Sequence, residues 1–236
     1  MKKFAVMLVA TAILLCGAGS LYAATSIYGQ SGLIETPNDV IVGDKAFEPA
    51  FARIFDLKVK GETQGVDVTT YGGAIGILPN LEVSAVGLDP ESGKTEALIN
   101  AKYRVLAESE SRPSVTVGVL DISKRLDYVS DDPSAFIVIG KNISPMAEGF
   151  SGRVSQPVKG TIGFGSGIYK GVFAGLDMSL APKLNVAVEY LRKGIRNRST
   201  ANGMVRFTPV EALSIDAGLI GFKDFYAGAS YNVSTF

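Results

Sequence analysis

From about residue 46 onward, apolar side chains alternate with small or polar ones in blocks divided by turn-forming residues. The alternation predicts strands at 46–58, 65–78, 80–89, 95–107, 112–123, 133–144, 159–168, 171–180, 182–192, 200–209, 211–221 and 224–236. Strands in soluble proteins usually run about 5 to 6 residues. These blocks are longer, close to the roughly 9 to 11 residues that a tilted strand needs to cross a bilayer. The pattern therefore predicts an all-β fold, a transmembrane antiparallel up-and-down β-barrel of about 12 strands, with about 10 to 14 compatible with the same blocks. A soluble periplasmic β-sandwich is the runner-up.

Turn chemistry is consistent with an even-stranded barrel, which keeps its short turns on the periplasmic side. The tight connections Leu78-Pro79-Asn80, Ala181-Pro182 and Thr208-Pro209-Val210-Glu211 follow predicted strands two, eight and ten. The polar connections 60–64, 89–95, 124–132 and 192–200 follow strands one, three, five and nine, on the opposite side. The long polar stretch 145–158 breaks this rule, since its place in the order is periplasmic.

Alternation also separates two faces. In the fourth strand Ala97, Ile99, Ala101, Tyr103 and Val105 share one face and Asn100, Lys102 and Arg104 the other. Leu184, Val186, Val188 and Tyr190 oppose Asn185 and Glu189, and Leu213, Ile215, Ala217 and Leu219 oppose Ser214 and Asp216. An Arg or Lys facing lipid at the midplane costs roughly 2 to 4 kcal/mol. Charged residues are accordingly placed inward, making Glu82, Lys102, Arg104, Asp177, Glu189, Arg206 and Asp216 the candidate lumen lining. Mixed charges of this kind either pair and hold a small barrel shut or face water and tune a pore.

Composition narrows the chemistry. Lys2 and Lys3 precede an apolar run from Phe4 to Cys16, and small residues lead to a cleavage site near Ala23, so residues 1–23 read as a secretory signal peptide. Cys16 is the only cysteine; Leu15 stands where a lipid-attachment signal carries Gly, Ala or Ser, which favours a plain leader residue. The chain has no histidine, and its 23 basic and 23 acidic residues become slightly acidic in balance once the leader is removed. Zinc, thiol and histidine-dependent hydrolytic chemistry are excluded, and nucleic acid is not a predicted partner. A carboxylate pair, Glu189 with Asp216, is the remaining catalytic arrangement, and ion pairing in a lumen explains it equally well. Asp131 and Asp132, or Asp89 and Glu91, read as solvated loop charge rather than a cation site.

Residues 24–44 precede the first strand and contain Gly, Pro and short apolar runs without a spanning strand. Two placements fit, inside the lumen as a plug or outside as a periplasmic extension. Gly163, Gly165 and Gly167 fall on one face of one predicted strand, a smooth surface for another backbone to approach. Residues 45–236 form the barrel domain.

Within the 24–44 stretch, Gly32-Leu33-Ile34-Glu35-Thr36-Pro37 resembles the opening motif of the YjbH-like outer-membrane barrel family. The later runs Gly163 to Leu176 and Val188-Glu189-Tyr190 are similar to that family's central hairpins. The resemblance implies a bacterial outer-membrane barrel associated with exopolysaccharide production or export, and polysaccharide or export components as partners. The last strand carries a candidate assembly signal in Gly228, Tyr231, Val233 and Phe236, with Phe225, Ala227, Ala229, Tyr231 and Val233 on one apolar face. Outer-membrane lipids and the barrel-assembly machinery are the partners this architecture implies. The expectation is a non-enzymatic, cofactor-free outer-membrane barrel of YjbH-like type. A narrow diffusion pore for small solutes and a closed structural or surface-interaction barrel are the alternatives.

Overall fold

The structure, a computed structural model, describes residues 24–58, 64–91, 93–125, 132–144 and 157–234. The leader, Cys16, Asp131, Phe236 and most of 145–158 lie outside the described residues.

The strands are β1 Ala46–Leu57, β2 Val66–Leu78, β3 Leu81–Pro90, β4 Glu96–Leu106, β5 Ser114–Leu120 and β6 Ser134–Asn142. They continue with β7 Val158–Gly165, β8 Gly171–Ala181, β9 Leu184–Leu191, β10 Thr200–Val210, β11 Leu213–Ile220, β12 Asp224–Tyr231 and the two-residue β13 Val233–Ser234. Each strand pairs with its sequence neighbour, and β12 closes the ring on β1 from Ala50↔Ser230 to Ile54↔Tyr226. β13 prolongs the seam beyond Asn232, pairing Phe47 with Val233. The architecture is a closed twelve-stranded antiparallel barrel. Closure satisfies every edge, which a two-sheet sandwich does not.

All twelve predicted strands are present. The predicted fifth, seventh, ninth and last strands are too long: Arg112 belongs to the β4–β5 turn, where it pairs with Ser109, Gly167 starts a short turn after β7, and Asn232 interrupts the final ladder. Pro209 lies within β10 rather than in the following turn. The β10–β11 register shifts between Phe207 and Val210, and this irregularity absorbs the missing proline N–H.

The outer wall is apolar. Phe51, Ile99, Ile137, Ile162, Phe164, Val188 and Ile215 are all exposed, at 42–59 %. Their inward neighbours are buried, as with Leu98, Asn100 and Lys102 in β4 and Ser214 and Asp216 in β11. A continuous belt of this kind on a folded surface is a lipid-contacting feature.

Residues 24–44 run inside the ring. Ile27, Tyr28, Leu33 and Ile34 join one buried cluster with inward side chains that include Ile54, Val86, Leu98, Phe136, Phe173 and Leu191. A Thr25–Ser31 bridge and a Gly32–Pro37 bridge fold the segment on itself, and Asp44 pairs in parallel with Gly76 just before β1 begins. The short turn Gly167–Tyr169, between β7 and β8, adds buried Ile168 and Tyr169 to the same cluster.

Candidate functional site

The site is the contact between the inner segment and the wall, and its polar part is built from charged residues projected inward by strand alternation. Glu82 of β3 accepts hydrogen bonds from the Ser31 amide (2.8 Å), the Ser31 hydroxyl and the Val42 amide (2.9 Å). Lys102, directly across the β3–β4 ladder, donates to the Ser31 carbonyl at 2.7 Å and to the Ser31 hydroxyl, with Glu82 Oε1 3.7 Å away. Both side chains are 1 % exposed, so each charge depends on these partners for its solvation.

A second anchor lies on β9. Glu189 Oε1 accepts from the Glu35 amide (2.9 Å) and from Asn202 Nδ2 (2.7 Å). Its Oε2 accepts from the Thr36 amide (2.9 Å) and hydroxyl (2.6 Å). Glu35 itself turns toward the β9–β10 connection. Its carboxyl accepts from the Ile195 amide (2.6 Å), Tyr28 Oη (3.0 Å) and Asn202 Nδ2 (2.9 Å). Burial pushes the Glu35 carboxyl up, and the neighbouring Glu189 charge pushes it further, to about 7 against the lowering effect of those donors.

Further contacts tie the segment around the barrel. Glu48 of β1 accepts from Thr25 Oγ1 at 2.6 Å. Asp39 accepts from the Ser114 hydroxyl and pairs with Lys159 at 2.8 Å. Asn100 donates to the Tyr28 carbonyl at 2.7 Å, and Tyr169 Oη donates to the Glu35 carbonyl at 3.2 Å. Arg196, from the β9–β10 connection, pairs with Asp224 at 3.5 Å and donates to the Ile220 carbonyl.

Of the seven candidate lumen residues, Glu82, Lys102, Glu189, Arg206 and Asp216 are buried inside the barrel. Arg206 and Asp216 form a two-point pair at 2.8 and 3.0 Å across β10 and β11. Glu189 and Asp216 therefore do not flank a shared cleft: one holds the segment and the other holds Arg206. Asp177 is half-buried, and its Oδ1 has no hydrogen-bond partner. Arg104 sits at the rim, donating to Asn80 in the β2–β3 turn at 3.0 and 3.2 Å. Asp89 accepts from Thr95 Oγ1, and Asp132 lies 3.9 Å from Lys124. At the C-terminus Tyr231 is exposed, Val233 pairs with β1, and Gly228 faces Tyr226 and Ala52.

The glycine face of Gly163, Gly165 and Gly167 does not receive the segment. Gly163 makes room for the Phe173 ring and Gly165 for Tyr169, while Gly167, at φ 57°, starts the short turn. Bulky neighbours on β8 and in that turn occupy the space. The segment instead uses Gly76, where a Cβ would overlap the Val42 and Gly43 carbonyls, and Gly140, where it would overlap the Asp39 carboxylate. Gly76→Val should accordingly weaken docking by about 1 to 3 kcal/mol, the usual cost of overpacking. Ala24 is 1 % exposed, and without residues 1–23 the chain has no cysteine, so Ala24→Cys reports segment release by its labelling rate. That rate should rise in the Gly76→Val background, and an unchanged rate would refute the steric argument.

No protein-family model matches the chain, and no curated protein matches it. Among solved structures it is similar to the KdgM porin, with a TM-score of 0.51 and 10 % identity over 81 % of this chain and 99 % of that one. It is likewise similar to KdgM porin in complex with disordered oligogalacturonate, with a TM-score of 0.50 and 11 % identity over the same shares. At these identities the likeness is one of fold, and the chain has a porin-like β-barrel fold of the outer-membrane type.

Proposed function

We propose that this protein is a non-enzymatic outer-membrane barrel acting as a narrow diffusion pore for small solutes, held shut here by residues 24–44. The observation that carries the reading is a porin-like ring whose inward Glu82, Lys102 and Glu189 bind a separate segment of chain. Glu82 and Glu189 are each bonded to main-chain amides of that segment, so displacing it exposes solvated, charged wall. Outer-membrane lipids surround the apolar belt, and the barrel-assembly machinery is the partner that inserts it.

The exopolysaccharide-linked role implied by the YjbH-like resemblance receives less support. The residues that carry the resemblance, Gly32 to Pro37, are accounted for locally: they form the tight bend that presents the Glu35 and Thr36 amides to Glu189. One observation favours a second reading, a permanently closed structural barrel. Ile27, Tyr28, Leu33 and Ile34 share a continuous apolar cluster with the wall, and removing them exposes that wall to water.

Single-channel recording separates the two. The refolded chain without residues 1–23 should be silent in a planar bilayer, and a form also lacking residues 24–42 should conduct steadily. Silence of both, with insertion demonstrated, would replace the pore by the closed barrel.

A further inference from the structure

The carboxylates on the inner wall outnumber the cations there that could neutralise them once the segment leaves. Between the rims, inward positions of the strands carry Glu48, Glu82, Asp177, Glu189 and Asp216 against Lys102, Lys159 and Arg206. Asp216 is paired with Arg206, and Glu82 lies beside Lys102. Lys159 now binds Asp39 of the segment and lies 3.7 Å from Glu108 in the β4–β5 connection; freed of Asp39, it stands directly opposite Asp177 across the β7–β8 ladder. Asp177 Oδ1, buried without a partner, is the acceptor such a lysine would fill. The Arg196–Asp224 pair at the end of the barrel is neutral.

Glu48 and Glu189 remain. Neither has a cation within ion-pair distance among the described residues. Their present partners are Thr25 Oγ1 and Asn232 for Glu48, and the segment's Glu35 and Thr36 with Asn202 for Glu189. Removing the segment strips neutral donors from both and leaves the amides of Asn232 and Asn202, which carry no charge. Unneutralised carboxylates along a narrow aqueous path attract cations and repel anions, because the low-dielectric wall focuses the field along the path.

We propose that the unplugged lumen selects cations and small cationic solutes, with Glu48 and Glu189 as the selecting residues. The inference rests on the pore reading above. It sets this chain apart in ligand charge from the neighbour whose structure holds the polyanion oligogalacturonate.

The test is the reversal potential of the form lacking residues 24–42 under a KCl gradient. A potential of cation-preferring sign that moves toward zero in Glu48→Gln/Glu189→Gln is the expected result. Gln keeps the side-chain shape, and in this background the segment amides that required a carboxylate are gone, so the double variant tests charge rather than folding. Conductance with no preference or an anion preference would overturn the inference and leave the pore standing. A cation preference untouched by the double variant would overturn the assignment to these two residues. An inserted but silent barrel would overturn the pore reading and this one with it.

Discussion

Glu189→Leu is expected to release the inner segment while the barrel itself stays folded. The carboxylate accepts four hydrogen bonds, from the Glu35 amide, the Thr36 amide, the Thr36 hydroxyl and Asn202. Glu35, Thr36 and Asn202 are all at most 1 % exposed, so water cannot replace the lost acceptor in the docked state. Each buried donor left without a partner costs about 1 to 3 kcal/mol. With two main-chain amides among the donors, docking should weaken by at least about 3 kcal/mol. The variant also removes the negative charge beside Glu35, which acts in the opposite direction. That relief concerns one ionisation, whereas the loss strands several donors, so release wins. The Ala24→Cys reporter should label more than about a hundredfold faster in Glu189→Leu, the ratio that corresponds to this free energy. Far-UV circular dichroism should remain that of the parent barrel. A labelling rate equal to the parent's would show that Glu189 does not hold the segment.

The ring was legible in the sequence because strand alternation reports which face a residue occupies. Alternation places Lys102, Glu189 and Asp216 inward, and in the structure all three are buried. What alternation does not report is what stands opposite an inward side chain. The Glu35 and Thr36 amides meet Glu189 across 154 and 153 residues of chain, and residues 24–44 have no repeating pattern that could announce such a pairing. The partners of uncharged inward residues are hidden for the same reason. Asn100 and Asn202 carry no desolvation signal as strong as a charge, yet Asn100 links the segment to β3 and to Asp121, and Asn202 joins two carboxylates. Glu48 is a different omission. Its neighbours Phe47 and Phe51 mark the lipid-facing parity of β1, which already places Glu48 on the inner face. The apolar layer inside the barrel is equally hidden, because inward Leu98, Phe136 and Phe173 acquire a reason only when Ile27 and Ile34 are brought against them.

Raising the pH from about 4.5 to about 7 should loosen the segment, and Glu35→Gln should abolish that dependence. The carboxyl of Glu35 is surrounded by Tyr28 from its own segment, Ile195 from the β9–β10 connection, Asn202 on β10 and the carboxylate of Glu189 on β9. Tyr169 meets its main-chain carbonyl, and the same connection carries Arg192, Lys193, Arg196 and Arg198, of which Arg196 is engaged with Asp224. In the docked state burial, and then Glu189, raise this carboxyl from 4.5 to about 7. In the released state it faces water and titrates near its ordinary value. Below about 4.5 both states are protonated and docking has its full strength. Between the two values the released state has lost its proton while the docked state still holds it, so docking weakens steadily. Above about 7 both are ionised and the deficit is complete, about 3 kcal/mol. The segment is therefore held most tightly in acid, opposite to the usual stabilising carboxylate whose contribution is lost as pH falls. Labelling of Ala24→Cys, normalised at each pH to a fully exposed cysteine, should accelerate by about a hundredfold across this window and then level off. In Glu35→Gln the normalised rate should be flat. A slope that survives the substitution, or one that falls with rising pH, would mean that another group governs docking and that Glu35 and Glu189 do not form the pH-sensitive contact.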